Sequence, residues 1–218
     1  PGSVAAETSR LGAGGDVNAL EKVRSITAGM PLYLQSAARL AAQAYAGDLA
    51  QLCAALEQQA TMETTVQELI LTKVYQGLAQ PCQRIVMLLS MVDVAITQDE
   101  LQSLMQCYAT LPTAAVNTAV RTLRALGVLE VQGNREIKLH DAMRLIGASQ
   151  SHAVDEEHLL ATKRLLKDLL LTSLQQARSY HRLRLLVRAL LDLEEHEFLI
   201  ELAGEEMFKE TGLGTMLI

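Results

Sequence analysis

Residues 129–146, LEVQGNREIKLHDAMRLI, decide how this chain is read. Leu129-Glu130-Val131 and Ile137-Lys138-Leu139 alternate apolar and polar residues, the period of a half-buried strand. Gln132-Gly133-Asn134-Arg135 between them is turn chemistry. Asp141 follows, then Met143, Leu145 and Ile146, so a helix starts where the second strand ends. The spacing therefore predicts a β-hairpin running into a helix, with Asp141 as the cap for that helix's free N–H groups and His140 held at the junction.

The segment before the hairpin extends the pattern. Pro81 opens a strongly apolar helix with Ile85, Val86, Leu88 and Leu89. Thr97-Gln98-Asp99-Glu100 is a capping-box sequence for a helix over 99–106. Val116, Ala119, Val120, Leu123 and Leu126 give a third helix over 113–126, and Gly127 is its C-cap. Three helices followed by a hairpin predict a winged helix over residues 80–147. Its charge is balanced, with Arg84, Arg121, Arg124, Arg135, Lys138 and Arg144 against Asp93, Asp99, Glu100, Glu130, Glu136 and Asp141. A DNA-reading helix needs donors for phosphates and base edges, and the third helix offers Arg121 and Arg124. That balance argues against nucleic acid as the partner.

Upstream, residues 18–79 predict a small helical domain. A short helix over 18–26 ends at Thr27-Ala28-Gly29. Pro31 sits at a first-turn position, where its missing N–H leaves nothing unpaired. Ala37, Ala38, Ala41 and Ala42 give the helix it starts a close-packing face. Asp48 is placed to cap a helix over 49–59, and another helix spans 65–78. Residues 1–17 are expected to be a tag-cleavage remnant, Pro1-Gly2-Ser3, followed by a mobile glycine-rich stretch. Downstream, residues 148–218 predict a C-terminal helical domain that the end of the chain cuts short. It has a long Leu-rich helix over 156–176, a helix over 180–191 with Arg178, Arg182, Arg184 and Arg188 around it, and an acidic helix over 194–208. The arginines are expected to face outward and pair with the acidic segment 192–210.

Composition agrees with a mainly α chain. It is 50% hydrophobic, only 3% aromatic, and has no Trp, so Leu, Ala, Val, Ile and Met carry the core. A net charge of −6 does not suit an electrostatic nucleic-acid binder. The three cysteines, Cys53, Cys82 and Cys107, match no metal spacing and no disulfide framework. With no signal peptide and no membrane-length apolar run in the sequence, a cytoplasmic location is expected. No catalytic residues and no metal ligands are predicted. Glu194, Glu195, His196 and Glu197 read as a solvated helix face.

Two of these features resemble those of the STAND signal-transduction ATPases, the NB-ARC and NACHT relatives. Gly29-Met30-Pro31 matches the G-x-P motif of their helical lid. Leu139-His140-Asp141 matches their Met-His-Asp motif at the end of a winged helix, with Leu in place of Met. The resemblance covers about residues 18–147. It implies that Gly29 and Pro31 lie near the adenine, that His140 contacts the β-phosphate of ADP in the closed state, and that Asp141 supports it. The chain has no G-x-x-x-x-G-K-[ST] loop and no acidic strand end for Mg²⁺. The resemblance thus implies a regulatory fragment: ADP or ATP bound in a full-length parent, no cofactor on the fragment alone, and a P-loop domain elsewhere in the same chain as the first partner. Protein contacts and self-association are expected through the C-terminal helices, at Leu186, Leu190, Phe198, Leu202 and Phe208. A DNA-binding regulator and a helical scaffold without nucleotide are the alternatives.

Overall fold

The computed structural model describes residues 4–62, 64–92, 94–132, 136–150 and 156–204. The chain is mainly helical, with one small antiparallel sheet of two strands. Its N-terminal part holds α1 (Val4–Arg10), α2 (Val17–Ile26), α3 (Pro31–Ala44), α4 (Leu49–Gln59) and α5 (Val66–Gly77). Short-range chemistry starts most of them. Asp16 Oδ1 accepts from the Ala19 N–H at 2.8 Å, and Asp48 Oδ1 accepts from Ala50 and Gln51. Pro31 stands in the first turn of α3. Thr65 and Glu68 form a reciprocal capping box at α5. The alanine face of α3 is closed off completely: Ala37, Ala38 and Ala41 have no exposed surface and pack with Leu49, Leu52, Leu56 and Ile70.

The stretch before residue 17 departs from the mobile segment expected of it. Residues 4–10 are helical, and Gly14 pairs with Asp48 through Gly14 N–H to Gly47 O at 2.8 Å and Leu49 N–H to Gly14 O at 3.1 Å. The glycines make this contact rather than loosen the chain. Gly47 adopts φ +86°, and a Cβ there would stand 2.7 Å from the Gly12 carbonyl oxygen. Only glycine lets the two backbones meet.

From Gln80 onward come α6 (Gln80–Met91), α7 (Gln98–Ala109), α8 (Thr113–Ala125), β1 (Leu129–Gln132), β2 (Glu136–Leu139) and α9 (Asp141–Ser149). The central helix α6 buries Cys82, Ile85, Val86, Met87, Leu88 and Leu89 against α8, α9 and α7. The Thr97–Glu100 capping box at α7 forms as its sequence predicts. Gly127, at φ +74°, ends α8 and turns the chain into β1. The hairpin pairs Leu129 with Leu139, Glu130 with Lys138, Val131 with Ile137 and Gln132 with Glu136. Ile137 and Leu139 face the core, and Lys138 leans outward between them. Ile96 bridges Ile137 from the free side of β2: the Ile96 N–H donates to the Ile137 carbonyl at 3.0 Å, and the Ile137 N–H donates to the Ile96 carbonyl at 2.7 Å.

The last three helices, α10 (Glu156–Gln176), α11 (Tyr180–Asp192) and α12 (His196–Gly204), lie against α7 and one another. Their apolar side chains do not form a separate core. Leu166, Leu170, Leu186, Leu190, Leu199 and Leu202 belong to the same buried cluster as α6, α7 and the hairpin, a cluster that also takes in Leu32, Leu71 and Tyr75 from the N-terminal part. Leu186, Leu190 and Leu202, expected as partner contacts, are therefore interior. Phe198 is half-buried with the Lys167 ammonium 5.8 Å from its ring centre, and Phe208 lies outside the described residues. The acidic helix also begins later and is described to an earlier end than its charge pattern suggests, His196–Gly204.

Candidate functional site

The junction after β2 is held by three hydrogen bonds around one residue. The His140 N–H donates to the Val128 carbonyl at 2.9 Å, the His140 carbonyl accepts from Met143 N–H at 2.9 Å, and His140 Nδ1 accepts from Ala142 N–H at 3.2 Å. The helix cap is thus the imidazole and not Asp141. Strand register explains the exchange. Pairing Leu139 with Leu129 leaves His140 extended, at φ −58° and ψ 130°, so the first helical residue is Asp141. An acceptor Nδ1 carries no proton, so the neutral ring bears its hydrogen on Nε2. That edge is the open one. The side chain is 33% exposed, and the carboxylate facing it, Glu130, lies 3.9 Å away, too far to hydrogen-bond.

Asp141 has a different task. Its carboxylate meets Lys138 at 3.1 Å and Arg144 at 3.5 Å, and its side chain is 74% exposed. The bond from Lys138 comes first in holding its carboxyl below the ordinary aspartate range, with Arg144 adding to it. A negative charge in the first turn also suits the helix dipole.

Gly29 and Pro31 lie at the head of α3. Ala28 and Gly29 are both left-handed, at φ 51° and 67°, which folds the chain back so that Gly29 N–H reaches Arg24 O at 3.0 Å. Met30 and Pro31 are exposed. The next residue is not: Leu32 is buried, and its Cδ1 lies 3.6 Å from where a Gly127 Cβ would be. Arg39, two turns on, donates to the Ala125 carbonyl at 2.7 Å. The head of α3 thus lies beside the turn that leads into β1, where Val128 carries the carbonyl that receives the His140 N–H.

A second feature escapes the sequence reading. Arg182 is not on the solvent side of α11; only 8% of it is exposed. Its guanidinium donates to Glu100 at 2.7 and 3.2 Å, to Ser173 Oγ at 2.7 Å, to the Ala95 carbonyl at 3.3 Å and to Glu136 at 3.3 Å. Burial raises the Glu100 carboxyl, but the bonds from Arg182 and Thr97 outweigh it and hold the group below its ordinary range. Two acids of the segment that follows pair with lysines of α10, Asp192 with Lys163 at 3.0 Å and Glu195 with Lys167 at 2.9 Å. The signal was present in the spacing, because residues 182, 186 and 190 fall on one helical stripe and two of them are leucine. Beside the guanidinium a crevice of about 800 Å³ opens between α7, β2, α10 and α11, lined by Lys138, Thr172, Gln176 and His181 among others.

Burial pushes the Cys53 and Cys82 thiols up, which keeps them protonated and unreactive. Among the described residues no group of three His, Cys, Asp or Glu side chains could hold a metal ion, and no helix is long and apolar enough to cross a membrane. Compared with family models, with curated proteins and with solved structures, the chain gives no match.

Proposed function

We propose that this chain is the lid and winged-helix portion of a STAND-type nucleotide switch, which closes over ADP in the resting state and reorients on activation. The observation that carries the proposal is the bond from the Ala142 N–H to His140 Nδ1. With Nδ1 engaged by Ala142 N–H, the ring offers Nε2–H as a donor at an open edge, and the backbone fixes its direction. A phosphate oxygen is a strong acceptor for such a group. The bond from Arg39 to the Ala125 carbonyl supports the reading further, because it holds the helix that Pro31 opens against the turn that leads to the His140 junction. In this reading Gly29 and Pro31 border the base, His140 holds the β-phosphate, and Asp141 fixes the first turn of α9 through Lys138 and Arg144. The P-loop and the Mg²⁺ ligands belong to another part of the polypeptide, and the 218 residues alone turn over no ATP. Protein contacts through the C-terminal helices remain part of the proposal, with Leu191 and Ile200 as the exposed apolar residues there.

The test uses two variants of the full-length protein. His140→Ala removes both the cap and the donor, whereas His140→Ser keeps a cap-competent oxygen but is too short to reach a phosphate. A charge-assisted hydrogen bond contributes about 1.5–3 kcal/mol, so both variants should release ADP about tenfold to a hundredfold faster. Retention equal to wild type in both removes the phosphate role and leaves a helical scaffold whose histidine is a cap.

A further inference from the structure

Arg182 is the hub of a clamp whose arms reach different parts of the fold. One arm holds Glu100, the third residue of α7, which is itself bonded to Thr97 N–H. A second holds the Ala95 carbonyl, beside Ile96, and Ile96 exchanges two backbone hydrogen bonds with Ile137. A third holds Glu136, the first residue of β2. The guanidinium thus grips both sides of the Ile96–Ile137 pairing. His140 lies at the far end of the same strand, four residues from Glu136. Between them Ile137 and Leu139 are buried and registered against β1, so the strand can shift only as a unit.

We propose that Arg182 is a positioning residue that ties the C-terminal helices α10–α12 to the strand carrying His140, so that displacement of those helices from the hairpin reorients the His140 imidazole. The ion pairs Lys163–Asp192 and Lys167–Glu195 link α10 to the segment that follows it and do not reach the hairpin. The arms of the clamp also differ in strength. The Glu100 side chain is 15% exposed and bonded twice, whereas Glu136 is 38% exposed and bonded once at 3.3 Å. Glu136, the arm bonded directly to the strand that leads to His140, is therefore the one that water or a competing group reaches first, and it can open while Glu100 keeps α11 in place. The consequence for nucleotide retention rests on the reading of His140 given above; the mechanical coupling does not.

The experiment uses Glu136→Thr in the 218-residue chain. Threonine favours a strand and is too short to reach Arg182. Amide exchange at Ile137 and Ala142 and the nitrogen shifts of the His140 ring are followed by NMR, with thermal melting as the control for folding. The expected result is a melting curve close to wild type, exchange at Ala142 about tenfold faster, as for loss of a partly exposed charge-assisted bond, and a displaced His140 Nε2 resonance. Arg182→Met should give the same changes at His140 and in addition faster exchange along α11. Restoration of the wild-type ring shifts by Glu136→Gln, which can still accept a hydrogen bond, is expected too. Unchanged ring shifts and Ala142 exchange in Glu136→Thr overturn the coupling, as does loosening of α11 in Arg182→Met with His140 undisturbed. ADP release from the full-length protein separates the two readings. If the NMR coupling holds and neither Glu136→Thr nor His140→Ala alters ADP release, the clamp stands and the nucleotide role falls. If the coupling fails while His140→Ala speeds release, the nucleotide role stands and the clamp falls.

Discussion

Removing the Arg182 charge while keeping its stem, as in Arg182→Met, tests how the C-terminal helices are held. Arg182 is 8% exposed, and its guanidinium is bonded to four separate groups. Deleting one partner of a buried ion pair costs about 3–5 kcal/mol, mostly because the other charge is stranded. Here the stranded group is Glu100, whose side chain is 15% exposed but which still accepts from Thr97 N–H at 2.7 Å. Glu136, Ser173 and the Ala95 carbonyl border the crevice and can turn to water. The cost should accordingly sit at the low end, about 3 kcal/mol, which for a chain of this length lowers Tm by about 6–12 °C. Glu100→Gln should cost less, about 1–2 kcal/mol, because Arg182 keeps Glu136 and glutamine can still close a capping box. Added to Arg182→Met, Glu100→Gln should partly rescue it, since the stranded carboxylate is then gone. The pH dependence has a defined sign. The folded carboxyl of Glu100 is held below its unfolded value of 4.5, so its contribution is complete above that pH and is lost as pH falls through the lower folded value. The gap between wild type and Arg182→Met should therefore narrow on acidification below about 4.5. Urea titrations followed by circular dichroism at neutral and acid pH measure all of this. A cost under about 1 kcal/mol, the range of exposed pairs, with no narrowing in acid, would show that water reaches the pair freely.

Two further substitutions probe the core. Tyr108 is 5% exposed, its hydroxyl has no hydrogen-bond partner among the described residues, and burial pushes its phenol up to about 12; Tyr108→Phe removes a stranded polar group and should raise stability by about 1 kcal/mol, read as a higher Tm. Because the folded value lies above the unfolded one, ionising Tyr108 opposes the fold: the neutral phenol's advantage over the phenolate is complete below pH 10 and is lost as pH rises through about 12, and phenolate absorbance should show a late-titrating group that disappears in the variant. Gly147 is helical, and a Cβ there would meet Ser90 Cβ and the Val86 carbonyl oxygen, each at 2.9 Å; Gly147→Ala should cost about 1–3 kcal/mol by forcing α9 off α6, against the modest gain alanine brings to an exposed helix, and a rise in Tm would mean that α9 shifts without penalty.

What the sequence made legible is what depends on neighbours within three or four residues. The Thr97–Glu100 box, the Asp48 cap, the Pro31 start and the Gly127 stop each join a side chain or a φ angle to backbone nearby, and each is found where it was read. Thr65-x-x-Glu68 carries the same box signature with identical chemistry. Long-range pairings were not legible. The glycines before residue 17 suggest mobility as long as the Gly47 backbone opposite Gly12 is out of view. Charge counting sets the arginines of α11 against the acids that follow, whereas helical spacing around Leu186 and Leu190 places Arg182 inward. Leu32 lies among the N-terminal helices by position, yet it packs with the cluster built on α6.

The exchange of roles between His140 and Asp141 shows how register, rather than residue preference, sets chemistry at this junction. Aspartate is the better cap in general, and had β2 paired one residue further along, Asp141 would hold the Ala142–Met143 turn and His140 would be an unconstrained ring on the strand. Leu139 prevents this. It is 1% exposed opposite Leu129, and a slip of β2 by one residue would turn Leu139 and Ile137 to water and bring Lys138 inside. Burial of those two side chains, at about 1.5–3 kcal/mol each, exceeds the difference between a histidine and an aspartate cap, which is a fraction of the roughly 0.5–2 kcal/mol a whole cap contributes. The core thus selects the weaker cap, and in doing so it fixes the imidazole by Nδ1 and presents Nε2–H outward. Asp141, released from capping, is free to gather Lys138 and Arg144 on the outer side of α9. The same burial that orders the hairpin makes His140 a directed donor, and because Arg182 grips the other end of that strand through Glu136, the direction of the donor depends on where the C-terminal helices sit.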